Sequence, residues 1–143
     1  MNREKNVIAV GIDPGVKTGY AEWSRFGKTY RTIETLQIHQ AIKRVEQLIE
    51  DYGKGNVVVI FEDARKRKWY GNSGREQLQG VGSIKRDCKI WEDFLTETGV
   101  EFYMIAPKNI NTKTTADAFK RITGWATITS NHARDAAMMV MGY

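Results

Sequence analysis

The sequence predicts an α/β fold in which helices pack on a mixed sheet, and three observations carry that reading. Strand-like and helix-like segments alternate through the second half of the chain. A continuous apolar, mostly β-branched run, Val57 to Phe61 (VVVIF), reads as a central strand covered on both faces. Residues Ala41, Ile42, Val45, Leu48, Ile49 and Tyr52 recur at helical spacing, with Lys43, Arg44, Glu46 and Glu50 on the other side, which gives a helix with one face to bury.

Taken in order, Val7 to Ile12 (VIAVGI) is a short apolar strand. Gly19 to Trp23 and Thr29 to Ile38 are rich in aromatic and β-branched residues, and Gly27-Lys28 forms a turn between them. These three segments read as antiparallel neighbours joined by tight connections. The amphipathic helix follows and is closed by Gly53. After the VVVIF strand, Ala64 to Gly74 is polar, basic and without periodicity, and is expected to be a loop. A second helix is expected from about Val81 to Glu97, with Val81, Ile84, Cys88, Trp91, Phe94 and Leu95 on one side. Glu101 to Ile105 reads as a strand ended near Pro107, which has no amide to give to a ladder. A helix near Thr114 to Ile122 stops at Gly124, and a last helix runs from about Asn131, capped by Ser130 or Asn131.

At 143 residues the chain suits a single domain spanning residues 1–143. Its 41% hydrophobic content, mixed charges and two prolines describe a globular protein rather than a disordered or fibrous one. No apolar run approaches the roughly 20 residues that span a bilayer, and the lone Cys88 cannot form an internal disulfide, so a cytoplasmic setting is expected. Lys and Arg number 22 against 17 Asp and Glu, a formal charge of +5 that favours a polyanionic partner.

The chemistry lies in the carboxylates. Asp13 stands at the end of the first strand, in Gly11-Ile12-Asp13-Pro14-Gly15, where Pro14 presets a turn and Gly15 is free to take a positive φ. Glu62 and Asp63 follow the VVVIF strand, and strand alternation sends them to opposite faces, so one of the two joins Asp13. His132 and Asp135 are three apart on the last helix and share a face. Asp135 is also open to a simpler reading, as a first-turn charge complementing the helix dipole, and His132 as a structural or capping residue. Separated carboxylates suit hard, oxygen-seeking cations such as Mg²⁺ or Mn²⁺. Zinc is disfavoured because Cys88 has no partner cysteine and His39 and His132 lie far apart in sequence. No Gly-x-Ser-x-Gly elbow is present, and Cys88 falls on a helix face, which suits packing rather than nucleophilic catalysis.

In order and spacing, GIDPGVKTGYAEW, VVVIFED, MIAPKNINTK and HARDAAMMV resemble the RuvC-type Holliday-junction resolvases, over nearly the whole chain. The resemblance implies an RNase H-like fold with a five-stranded mixed sheet flanked by helices. It makes Asp13, Glu62 and Asp135 the metal-binding catalytic carboxylates, prefers Glu62 over Asp63, and sets His132 in a position that is acidic or histidine in the family. Asp13 would bridge two Mg²⁺ ions, for which Mn²⁺ substitutes, with Glu62 holding one and Asp135 the other, while His132 ligates metal or manages a proton. The resemblance further implies branched, four-way DNA as substrate, a homodimer formed through the helix from Val81 to Glu97, and DNA contacts from Lys108 and Lys113. The chain is short for a bacterial resolvase and carries an unusual run, Arg65, Lys66, Arg67, Lys68, Trp69 and Tyr70. Its cations suit phosphates and its rings suit stacking on an exposed base.

Other readings are a less selective flap or fork debranching nuclease and a non-catalytic junction-binding module. A sugar kinase or ATPase of the actin-like kind shares the Asp-x-Gly-x-x-Thr-Gly opening, but encloses its nucleotide between two lobes, which a domain of this size does not supply.

Overall fold

In the computed structural model of the protein the described residues are 7–66, 75–107 and 114–143, with backbone only for 75–81. Five strands, β1 (Ile8–Asp13), β2 (Lys17–Ser24), β3 (Thr29–Gln37), β4 (Val57–Glu62) and β5 (Glu101–Ile105), form one sheet in the order β3-β2-β1-β4-β5. The strands β1, β2 and β3 are antiparallel neighbours, whereas β4 runs parallel to β1 and β5 parallel to β4. Among the described residues four α-helices accompany them: α1 (Ile38–Tyr52), α2 (Arg75–Thr98), α3 (Ala116–Thr123) and α4 (Asn131–Val140). The strand content and the mixed sheet agree with the sequence reading.

Side-chain alternation divides the core into two layers. On one face Ile8, Val10 and Ile12 of β1 join Val57, Val59 and Phe61 of β4, and α1 and α2 cover them with Ala41, Val45, Leu48, Cys88, Trp91 and Leu95. On the other face Ala9, Val58 and Ile60 meet Ala133, Ala136, Ala137 and Val140 of α4, together with Phe119 of α3. Both faces of β4 are therefore buried, which is why its sequence lacks alternation. Cys88 is buried within the first layer, as a packing residue.

The helix ends follow the expected chemistry. Gly53 terminates α1 at φ 82° with its amide bonded to Ile49, and Gly124 terminates α3 in the left-handed region at φ 70°. Ser130, rather than Asn131, caps α4, its Oγ accepting from the Ala133 amide at 3.0 Å. Ile38, expected as the last residue of the third strand, instead opens α1, and two departures are larger. The helix α2 begins at Arg75, six residues before the apolar periodicity becomes legible, because its first turns carry polar residues. Ala64–Lys66 forms a short 3₁₀ turn rather than open loop. Among the described residues no helix is long and apolar enough to cross a membrane.

Candidate active site

The sheet register decides which carboxylates share a face. Parallel pairing of β1 with β4 runs from Ile8 opposite Val57 to Ile12 opposite Phe61, so Asp13 and Glu62 come one step later, at the same level on adjacent strands. Asp13 follows Gly11 and Ala9 onto the α4 face, and Glu62 follows Ile60 and Val58 onto the same one. Asp63 goes the other way. It is 3% exposed and lies on the α2 side, where its carboxylate meets the Arg65 guanidinium at 2.7 Å. Glu62, and not Asp63, thereby shares the face of Asp13.

The polar end of α4 sits over this strand edge. A Cβ at Gly19 would fall on the His132 carbonyl and one at Gly11 on the Ala136 carbonyl, so these two glycines permit a backbone-to-backbone approach that no other residue allows. Gly19 is the β2 partner of Asp13, which places His132 level with the aspartate. His132 Nδ1 lies 2.9 Å from Asp13 Oδ2, with the His132 side chain about half exposed and that of Asp13 12% exposed. Asp135 is half-buried one turn further along α4. It is the fifth residue of the helix, past the first turn, which holds no acidic residue, so the dipole-complementing reading of Asp135 is set aside.

Local features hold these positions. Thr18, fully buried, donates its hydroxyl to the Gly15 carbonyl at 2.8 Å and closes the turn after Asp13. Gly15 does not use the left-handed region, contrary to expectation; Pro14 and the Thr18 bond suffice for the reversal. Arg134 is 7% exposed and is engaged outside the site residues. Its guanidinium donates to the Thr114 carbonyl at 3.1 Å, to the Thr129 carbonyl and hydroxyl, and to the Asn131 side chain, tying α4 to the segments that precede α3 and α4. Sequence reasoning missed Arg134, although an arginine just before the apolar run Ala136 to Val140 was a signal. It also missed Gly11 and Gly19, for which glycine within a strand was the signal.

Two members of the basic run are described. The Arg65 guanidinium is held by Asp63 at 2.7 and 2.9 Å and by Glu92 of α2 at 2.8 Å, and the Lys66 ammonium donates to the Met104 carbonyl at 2.9 Å. Burial pushes the Asp63 carboxyl up, but the hydrogen bonds from Arg65 outweigh it and hold the group below the usual carboxylate range. Those same bonds raise Arg65. Arg67, Lys68, Trp69, Tyr70, Lys108 and Lys113 lie outside the described residues.

As placed, no three His, Cys, Asp or Glu side chains among the described residues stand together as an ion cage. What converges is the backbone: two strand ends at one level beneath the helix turn that carries His132 and Asp135. The donor set, three carboxylates and one imidazole without sulfur, fits a hard divalent cation.

No protein-family model and no curated protein matches the chain by sequence. Solved structures do match in shape. T. thermophilus RuvC in complex with Holliday junction substrate superposes with a TM-score of 0.58 at 16% identity, covering 94% of this chain and 91% of that one. A second structure of Thermus thermophilus RuvC gives a TM-score of 0.53 at 17% identity, covering 94% and 92%. With its strand order and flanking helices, the chain has the RNase H-like fold of the RuvC structures.

Proposed function

We propose that the protein is a divalent-metal-dependent endonuclease that cuts branched DNA, four-way junctions foremost, acting as a homodimer. One observation carries the reading: the β1–β4 register brings Asp13 and Glu62 to the same level and face, directly under the α4 turn that carries His132 and Asp135. The likeness of fold to a RuvC bound to a Holliday junction supports the choice of DNA.

In this reading Asp13, Glu62, Asp135 and His132 would hold the cations. Bound Mg²⁺ or Mn²⁺ supplies activation of the attacking water and stabilisation of the leaving 3′ oxygen. Asp13, nearly buried, is the central acidic group, and its contact with His132 orients it and ties the end of β1 to α4. Glu62 projects from a strand paired on both sides, with β1 and with β5, so it is presented on a rigid edge rather than on a loop. Lys66, Arg67, Lys68, Lys108 and Lys113 would track phosphates, and Trp69 and Tyr70 would stack on bases at the branch. The inner side of α2 is taken by its own sheet through Cys88, Trp91 and Leu95, so dimer pairing through α2 would use its outer side, where Ile90 is exposed.

The test is cleavage of a labelled four-way junction with Mg²⁺ or Mn²⁺, beside flap, fork and linear duplex, by wild type and by Asp13→Asn. Symmetrical paired nicks in the junction, lost in the variant, are expected. Equal cutting of every branch would reduce the reading to a general debranching nuclease, and tight junction binding without cutting would leave a binding module.

A further inference from the structure

The turn that leaves β4 is held by a charge cluster on the face opposite the candidate site. Asp63, the residue after Glu62, is almost fully buried, and its amide donates to the Ile105 carbonyl at 2.7 Å, extending the β4–β5 ladder one step past Glu62. Its carboxylate takes two bonds from the Arg65 side chain and one, at 3.0 Å, from the Arg65 amide. Arg65 carries the connection onward to Glu92 in the second half of α2 and lies against the Met104 sulfur of β5 at 3.6 Å. Lys66 completes the closure, its amide bonding the Asp63 carbonyl at 3.0 Å and its ammonium the Met104 carbonyl.

Glu62 is thus set between Phe61, fully buried, and Asp63, pinned by backbone and side chain to β5 and α2. Arg65 suits the task because a planar guanidinium can meet two carboxylates at once, whereas an ammonium meets them as a point charge. With two anionic partners already within hydrogen-bond distance, its charge is spent inside the protein. A phosphate approaching it would meet the negative charge of two carboxylates as well as the guanidinium.

Resting on the nuclease reading above, we propose that Arg65 is a positioning residue rather than a DNA contact: the Asp63–Arg65–Glu92 cluster fixes the backbone that aims Glu62 into the site. Arg65 thereby separates from the basic run in which its sequence neighbours place it.

The two roles give opposite results in Arg65→Gln and Glu92→Gln. As a positioning residue, Arg65 when replaced lowers kcat about ten- to a hundredfold at saturating junction, the scale of a small misplacement of a reacting group. The slope of log Kd against log salt then stays that of wild type, and Glu92→Gln lowers kcat in the same direction. As a phosphate contact, Arg65 when replaced lowers the salt slope by about 0.9 and weakens all DNA alike, while Glu92→Gln, by releasing the guanidinium, tightens binding. That second pattern overturns the proposal. If Arg65→Gln fails to fold, Glu92→Gln alone decides by the sign of its effect. If wild type cuts and binds no DNA, the nuclease reading fails and the cluster is judged by amide hydrogen exchange at Asp63, Arg65 and Lys66 in Glu92→Gln. Faster exchange than in wild type sustains its positioning role, and unchanged exchange overturns it.

Discussion

His132 Nδ1 and Asp13 Oδ2 meet at 2.9 Å across 119 residues of sequence, and this contact joins the end of the first strand to the front of the last helix. The first prediction follows from it. Asp13→Asn retains a side chain that can hydrogen-bond His132 but removes the charge a cation needs. Junction cleavage is expected to fall to background with junction affinity essentially unchanged, read by gel-based cleavage beside a binding titration. Turnover retained by the variant would remove Asp13 from the chemistry.

His132 has a separable role. His132→Ala leaves Asp13 without its imidazole neighbour and is expected to lower kcat about a hundredfold. His132→Asp restores an oxygen donor at the same place and is expected to recover most of that loss. Single-turnover rates across a Mg²⁺ titration measure both, and an alanine variant as active as wild type would make His132 a surface residue.

Packing makes the same region sensitive to one carbon atom. Gly19→Ala and Gly11→Ala each set a methyl group against an α4 carbonyl, which cannot swing aside as a flexible side chain would. Each is expected to destabilise the protein by about 3 kcal/mol, the upper part of the range for overpacking, and to reduce cleavage by lifting α4 from β1 and β2. Urea unfolding gives the first quantity. Little change in stability would mean that α4 docks more loosely than the structure has it.

Acid should weaken the fold partly through Glu34. Burial pushes the Glu34 carboxyl up, but hydrogen bonds from Arg44, at 2.7 Å, and from Thr32 outweigh it and hold the group below its ordinary value. A carboxyl whose pKa is lower in the folded than in the unfolded chain stabilises fully above the ordinary glutamate value, about 4.3, and loses that contribution as pH falls through the folded value. Glu34→Gln should therefore flatten part of the acid limb of the stability curve below about pH 5. Chemical unfolding as a function of pH checks it, and an acid limb as steep as that of wild type would refute it.

Trp69→Ala with Tyr70→Ala is expected to weaken junction binding by roughly 1 to 3 kcal/mol per lost stacked base. Unchanged binding and cleavage would make the pair an ordinary solvated loop.

The sequence alone determined the parts of this protein that depend on near neighbours. The β-branched run announced β4, the apolar spacing announced α1, Gly53 and Gly124 marked helix ends where they stand, and the pair Ser130-Asn131 marked the start of the last helix. It also located acidic residues at the ends of β1 and β4 and on the last helix, because burial of the preceding strands makes a carboxylate there conspicuous. Tertiary structure decided the rest. Glu62 and Asp63 are equivalent to any argument from alternation, and only the pairing of β4 with β1 gives Glu62 the face of Asp13 and gives Asp63 the other. Arg65 reads as one cation in a basic run until Glu92, 27 residues away, is brought to its guanidinium. Propensity and capping are settled within a few residues of chain, whereas faces, registers and charge partners are settled by which distant segments pack together.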